Sequence, residues 1–512
     1  MAGRLRAPRH RRPGVGLIVA AGAVTLLTLV PVGFVVGSVV TTGLVPTWEL
    51  IARPRVVELL VNTVLLVAIA VPACVAVGVA GAWLVERSSL PGRRVATVVL
   101  VAPLAVPAFV ASYAWVSAVP SINGLGAGVL ISVLAYSPLV FLPCLAALRG
   151  LDPELEDTAR ALGLGEAHVF LRVVLPQLRV AISGGALLVG LHLLAEYGAF
   201  ALIRFDTFTT AIMVQFQSTF AGPAANALGV VLTLLCLLLL AGDARLRGRL
   251  RLARIGSGVP RPALRTRLAP LGVAISLLFV AGYGLLGAGV PFVTITRWLL
   301  AGDGWAQRHL IQAVATTLGL AVAGAIVTTL AALPLAWLLV RYPGRLSRLT
   351  ERANYLASSL PAIIIALAFV TVTLRIVPGL YQTLATVVVA YLVMFLPRAL
   401  VSVRAGIAQA PERREEVARS LGVPPWLARL RVTLPIMAAP VLAGAALVGI
   451  GVANELTSTL LLAPNGTRTL ATEFWSASSS VAYADAAPYA ALLVAVSIPA
   501  VALMYAETRR RS

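Results

Sequence analysis

Residues 58–85 read ELLVNTVLLVAIAVPACVAVGVAGAWLV, an almost unbroken apolar run. Glu58 stands at its edge, and the remainder carries no charge. A helix rises ~1.5 Å per residue, so such a run crosses the ~30 Å hydrocarbon core of a bilayer. The enclosed Pro72 and Gly78 are no objection, because membrane helices tolerate both.

Working outward, similar runs recur along the whole chain. In the first half they lie at 15–40, 58–85, 95–118, 127–148, 182–203 and 225–242. In the second they lie at 269–290, 311–340, 353–374, 380–402, 436–461 and 485–506. Hydrophobic residues make up 59% of the 512 positions and charged ones 12%. A soluble protein of this length needs far more polar surface. The expected fold class is all-α, a polytopic helical membrane protein of about twelve transmembrane helices. The first run, Val15–Val40, follows a basic stretch but is too long for a cleavable signal segment, so it reads as an uncleaved first span.

The formal net charge is +21, and its placement matters more than its size. Arginines crowd into the N-terminus (Arg4, Arg6, Arg9, Arg11, Arg12), the stretch Arg245–Arg267, the loop Arg341–Arg352 and the tail Arg509–Arg511. Ser117–Val129, between the opposite ends of two runs, has no charge. That asymmetry follows the positive-inside rule and predicts cytoplasmic termini and a cytoplasmic middle linker. A nucleic-acid binder would instead carry a basic face with interleaved aromatics on a soluble fold, so no nucleic-acid partner is expected. The linker arginines read as topology determinants, with contact to anionic lipid as the alternative.

The chain repeats itself. At a shift of 254 residues Trp83-Leu84 falls on Trp337-Leu338, Arg87 on Arg341, Pro107-Ala108 on Pro361-Ala362, and Phe141-Leu142-Pro143 on Phe395-Leu396-Pro397. After a five-residue insertion the shift becomes 259, and Gly163 matches Gly422, Leu175-Pro176 matches Leu434-Pro435, and Glu196 matches Glu455. An ordered series of this kind marks duplication. Six spans per half return the chain to the cytoplasm, so the repeats share one orientation. The expected organisation is a first repeat at 1–242, a basic linker at 243–268 and a second repeat at 269–512.

Between the fourth and fifth runs each half has a polar loop, at 149–181 and 403–435. The first contains Glu156-Asp157-Thr158-Ala159-Arg160-Ala161-Leu162-Gly163, nine residues, then Val173-Val174-Leu175-Pro176. The second contains Glu415-Glu416-Val417-Ala418-Arg419-Ser420-Leu421-Gly422, nine residues, then Val432-Thr433-Leu434-Pro435. Acids early and arginines late suit a short helix, through its dipole and through i,i+3 or i,i+4 pairing. Gly163 and Gly422 stand where such a helix ends. Leu155, Ala159 and Leu162 fall on one helical face, as expected of an amphipathic helix that docks in a partner's groove.

This pattern resembles the EAA loop of ABC-importer permeases, and its double occurrence resembles the fused-duplicate ferric-iron permeases over nearly the whole chain. Asp157-Thr158 and Val417 depart mildly from the Glu-Ala-Ala pattern, and Val stands for its Ile in both loops. The resemblance implies that Asp157, Thr158, Ala159 and Gly163, with Glu416, Val417, Ala418 and Gly422, couple the spans to two separate ATP-binding cassette subunits. It also implies an extracytoplasmic solute-binding protein and a bacterial inner-membrane location. Thiamine and aminoethylphosphonate importer permeases share the layout. A proton-coupled secondary transporter explains the repeat and the buried acids but not the paired loops.

No catalytic site is expected. The chain has no lysine, which a phosphate-binding P-loop requires. His10, His168, His192 and His309 are scattered without metal-ligand spacing, and Cys74, Cys144 and Cys236 lie singly inside apolar runs. No metal site or cofactor is expected. Glu196 and Glu455, with His192 one turn before Glu196, are the clearest ionisable residues in apolar runs, and such residues point to function by default. Two readings stay open for them: they line the solute path, or neighbouring helices satisfy them and they never meet solute.

Overall fold

The computed structural model describes residues 13–218, 222–247, 265–302, 305, 308–357, 359–410 and 412–510. The N-terminal arginines Arg4–Arg12, linker residues 248–264 and Arg511 lie outside the described residues. Regular structure among the described residues is helical, apart from one bridge between Ser88 and Thr266. Among the described residues nine helices are long and apolar enough to cross a membrane. Two bent pairs raise the number to eleven, and an apolar helix at Tyr483–Pro499 meets the twelfth expected run. The all-helical membrane class is thus the observed one.

The structure departs from simple rods at four places, paired by the repeat. The runs at 95–118 and 353–374 are not straight. Arg93–Ala105 and Ala108–Ala118 meet at 91°, and Arg345–Ala357 and Ala362–Arg375 meet at 99°. Both breaks fall at the duplicated Pro-Ala. Pro107 and Pro361 sit in extended backbone before their helices, with ψ of 142° and 150°. A proline pushes the preceding residue out of the α region, and Val106 accordingly has φ −100° and ψ 111°. The runs at 182–203 and 436–461 also end early, with helices Leu175–Ala195 and Leu434–Ala453 stopping just before or beside the two glutamates.

Two compact units emerge: the first joins the middle of the second repeat to the N-terminal helix, and the second joins the rest of the first repeat to both ends of the second. The first comprises residues 1–37 and 315–467. There, the N-terminal helix Val15–Thr42 is tied by Thr28 Oγ1, which donates to Asn354 Oδ1 at 3.0 Å, and by Asn354 Nδ2, which donates to Thr25 Oγ1 at 3.2 Å. Its central contact is between helices Leu384–Ala408 and Leu434–Ala453, where Gly444 lies directly against Ser402. The second unit comprises 38–314 and 468–512. Within it Gly185 lies against Val140, so closely that a Cβ would come 2.8 Å from the valine Cα. Gly185 and Gly444 correspond at the 259-residue shift. Small residues at such contacts let membrane helices approach until dispersion holds them. Tyr283 belongs to the second repeat but donates to the Leu134 carbonyl at 2.8 Å, anchoring helix Pro270–Gly284 in this unit.

Candidate functional site

The two polar loops fold alike. The first forms helix Glu154–Ala161, the second helix Glu412–Ser420. Three acids crowd the first turn of the former, and Arg160 and Arg419 occupy the last turns, which complements the helix dipole. Gly163 and Gly422 both have φ +84°. Gly163 N–H donates to Arg160 O at 2.9 Å and Leu164 N–H to Ala159 O at 3.1 Å. Gly422 N–H donates to Arg419 O at 3.0 Å and Val423 N–H to Ala418 O at 3.1 Å. These are matched Schellman endings, which place glycine in the left-handed region at little steric cost.

A five-residue π-helical turn then leads into the next long helix, at Phe170–Val174 and at Arg429–Thr433. These turns also correspond at the 259-residue shift. Each stands directly before a Leu-Pro pair, whose proline supplies no N–H to an α-helical ladder.

Each loop helix is pinned to the C-terminal end of the second long helix of its repeat. Arg87, the last residue of helix Pro54–Arg87, places Nη2 3.0 Å and Nε 3.2 Å from Glu156 Oε1. Arg160 Nη2 approaches the other oxygen at 3.4 Å. In the second repeat Arg341 ends helix Leu310–Arg341, with Nη2 3.5 Å from Glu415 Oε1 and Nη1 3.1 Å from Glu412. Thr433 Oγ1 donates to Glu415 Oε1 at 2.5 Å. The duplicated tryptophans add a second tie to the π turns. Trp83 meets Phe170 edge-on at 6.1 Å, and the Arg429 guanidinium lies 5.8 Å from the Trp337 ring centre.

Of the residues expected to act, Asp157, Thr158, Gly163, Glu416, Val417 and Gly422 are exposed, Ala418 is half-buried and Ala159 is buried. The expected apolar face is divided. Ala159 packs inward, whereas Leu155 and Leu162 point to the outside. Leu162 and its counterpart Leu421 are each 78% exposed, so each helix ends in an uncovered apolar side chain. Sequence reasoning missed the struts formed by Arg87 with Glu156 and by Arg341 with Glu415. Their signal was present, since both arginines and both glutamates are equivalent across the repeat.

Glu196 and Glu455 do not lie inside continuous helices. Glu196 follows helix Leu175–Ala195 and turns back to the next short helix, Gly198–Leu202. Its Oε1 accepts from Ala199 N–H at 3.0 Å, and its Oε2 accepts from the Tyr136 hydroxyl at 2.6 Å. Thr209 Oγ1 donates to its carbonyl at 2.6 Å. Glu455 does the same before helix Thr457–Leu462, accepting from Ser458 N–H at 2.9 Å and Ser458 Oγ at 3.1 Å. Thr459 Oγ1 donates to the Glu455 carbonyl at 2.9 Å and shares a hydrogen bond with the Tyr391 hydroxyl at 2.7 Å. His192 joins the first cluster, with its ring 5.5 Å from that of Tyr136 and Nδ1 2.8 Å from the Leu188 carbonyl. Among the described residues no group of three or more His, Cys, Asp or Glu side chains is placed to hold a metal.

Comparison with known proteins accords with this geometry. Residues 51–252 and 328–509 match the family described as binding-protein-dependent transport system inner membrane component, once in each repeat. The chain is 34% identical over 491 residues to the Fe(3+)-transport system permease protein FbpB 2 of Haemophilus influenzae, covering 95% of this chain and 97% of that relative. It is 26% identical over 221 residues to the sulfate transport system permease protein CysW of Escherichia coli, covering 40% of this chain and 75% of that relative. It is 27% identical over 237 residues to a probable molybdenum ABC transporter permease of Haloferax volcanii, covering 42% of this chain and 87% of that relative. The shorter relatives have about the length of one repeat. The chain therefore belongs to the binding-protein-dependent transport system inner membrane components, as a multi-pass, duplicated permease of an ABC importer and a transport component rather than an enzyme.

Proposed function

We propose that this permease imports ferric iron, with its repeats at 1–242 and 269–512 forming the solute path and residues 243–268 linking them in the cytoplasm. The observation that carries the cargo is the likeness over 95% of the chain to a permease named for Fe(3+) transport. The two termini lie in the cytoplasm, a reading supported by the arginine distribution. Each loop helix docks in a cleft of one ATPase subunit, presenting Asp157, Thr158 and Leu162, or Glu416, Val417 and Leu421. An uncovered apolar residue at the tip of a short charged helix suits a groove-docking contact. A solute-binding protein delivers cargo at the opposite face.

Closure of the ATPases pushes on each loop helix. The pairs Arg87–Glu156 and Arg341–Glu415 pass that push to the second long helix of each repeat. The Schellman endings at Gly163 and Gly422 keep the helices short and rigid. At the far ends of the fifth spans, Glu196, Glu455 and His192 belong to the solute path, where the broken helices place polar groups that a continuous helix would bury.

A second reading, uptake of an oxyanion, has its own observation in the likeness of half-length segments to sulfate and molybdenum permeases. Uptake of radiolabelled ferric iron and sulfate by proteoliposomes containing this chain, its ATPase and its binding protein separates them. Ferric uptake with no sulfate uptake is the expected result, and the reverse selects the oxyanion.

A further inference from the structure

We propose that a basic cavity at the cytoplasmic edge of the second compact unit binds the phosphate headgroup of an anionic phospholipid. The cavity measures about 540 Å³ and is lined by Ser89, Leu90, Gly92, Arg93, Arg94 and Arg265. Three arginines are among its lining residues, and Arg265 and Arg94 both repel Arg93. Glu86 partly offsets the charge on Arg93 but is itself held by Arg149 at 3.0 Å. Mutually repelling arginines beside an open cavity favour an anion, and arginine forks match phosphate oxygens.

The surroundings select a lipid as the source of that phosphate. Helix Arg93–Val101 starts at the cavity and exposes Val95 and Val98 within its next turns. Helix Pro270–Gly284, which packs on it, exposes Leu271, Ile275 and Leu278. Exposed aliphatic side chains on membrane-crossing helices belong against acyl chains, so the arginines stand at headgroup level with apolar surface beside them. Basic pockets between spans on the cytoplasmic side are suited to anionic headgroups, which concentrate in that leaflet.

The cavity is also built by an unusual piece of chain. Ser89 N–H donates to Thr266 O at 3.0 Å, Thr266 N–H to Arg87 O at 2.9 Å, and Leu268 N–H to Ser89 Oγ at 3.0 Å. The end of the linker is thereby laid beside the end of helix Pro54–Arg87, and this brings Arg265 to the cavity. Thr266 Oγ1 also donates to Glu166 at 2.9 Å, and Arg87 holds Glu156. A bound headgroup therefore bears on the same segment that carries the loop helix. The second repeat has Ser347 where the first has Arg93, so it lacks one of the three arginines. The expected stoichiometry is one headgroup per chain.

The test uses the purified full-length chain in a neutral detergent and follows its thermal unfolding during titration with short-chain phosphatidylglycerol, phosphatidylcholine or inorganic phosphate. Phosphatidylglycerol is expected to raise the unfolding temperature saturably, and the other two are not. R265Q, in the linker, should raise the half-saturating concentration about fivefold, and R93Q/R94Q/R265Q should raise it by one hundredfold in order of magnitude. R345Q/R348Q, in the second repeat, should leave it unchanged. Should the triple variant fail to fold, R265Q against R345Q/R348Q decides alone. An identical phosphatidylglycerol response in wild type and R265Q overturns the proposal. A full shift with inorganic phosphate alone overturns the lipid as the source.

Discussion

Arg87 Nη2 lies 3.0 Å from Glu156 Oε1, with both side chains almost wholly buried, and it joins the end of a membrane-crossing helix to the loop helix. The relationship recurs between Arg341 and Glu415 at 3.5 Å. A buried ion pair gains little net stability, because desolvation offsets its Coulomb attraction. Its duplication in two differently sequenced loops supports the proposed coupling role, in which each pair fixes the angle of a loop helix.

Breaking one partner leaves a buried charge, which costs about 3–5 kcal/mol locally. Arg87→Gln is accordingly expected to free the first loop helix and to lower ATP-driven uptake more than tenfold. Glu156→Gln keeps an acceptor for Arg87 and should be milder. Arg87→Gln combined with Glu156→Gln should recover part of the loss, as a double-mutant cycle on uptake would record. Additive losses in that cycle would remove the strut.

Gly163 and Gly422 test the rigidity of the loops. A Cβ at either position meets nothing within 4 Å, so the only obstacle to a side chain is φ +84°. Left-handed backbone costs about 1–2 kcal/mol for an ordinary residue. Asn tolerates this region and Val does not. Gly163→Asn with Gly422→Asn should keep uptake close to wild type, while the double Val variant hydrolyses ATP without uptake. Paired measurement of phosphate release and cargo uptake reads the difference. Equal behaviour of Asn and Val would place the requirement elsewhere.

The glutamates combine a structural task with the proposed path. Glu196→Gln with Glu455→Gln retains an oxygen to accept from Ala199 and Ser458, so the unfolding temperature should hardly move. Uptake of a cationic cargo should fall severalfold. Glu196→Ala removes the cap as well, costing about 1 kcal/mol. Thermal unfolding and ferric uptake on the same preparations separate the two effects. Unchanged uptake in the double Gln variant would leave both residues purely structural.

Gly185 and Gly444 allow the close helix contacts of the two units. Gly185→Leu drives a side chain into the Val140 backbone, and overpacking of this kind costs about 1–3 kcal/mol or more. Reduced yield and a lower unfolding temperature are expected for Gly185→Leu and for Gly444→Leu. Gly319→Leu, at a position where a Cβ meets nothing, should be neutral.

Much of the architecture was legible because hydropathy and duplication act over long stretches. The repeat frame that joins Arg87 to Arg341 and Gly163 to Gly422 also joins the Schellman endings and the π turns. Pro107-Ala108 and Pro361-Ala362 were visible as repeat markers but not as bends near 90°, since an apolar run looks the same whether straight or folded. The fifth spans likewise gave no warning of stopping at Ala195 and Ala453, where neither glycine nor proline stands. The glutamates therefore read as intrahelical, although the helix ends make them caps. Arg87 and Glu156 are separated by 69 residues, and no local periodicity connects them. Only their equivalence across the repeat pointed to the pair.

In the proposed cycle two ATPase subunits, engaged through the two loops, drive transport through this chain. The most direct measurement is uptake by proteoliposomes containing the full chain, with and without the ATPase and binding protein, under ATP or under a proton gradient. Ferric uptake that requires ATP and both partners, and that ceases when the ATPase is omitted, is the predicted result. Uptake by the chain alone under a proton gradient would contradict it.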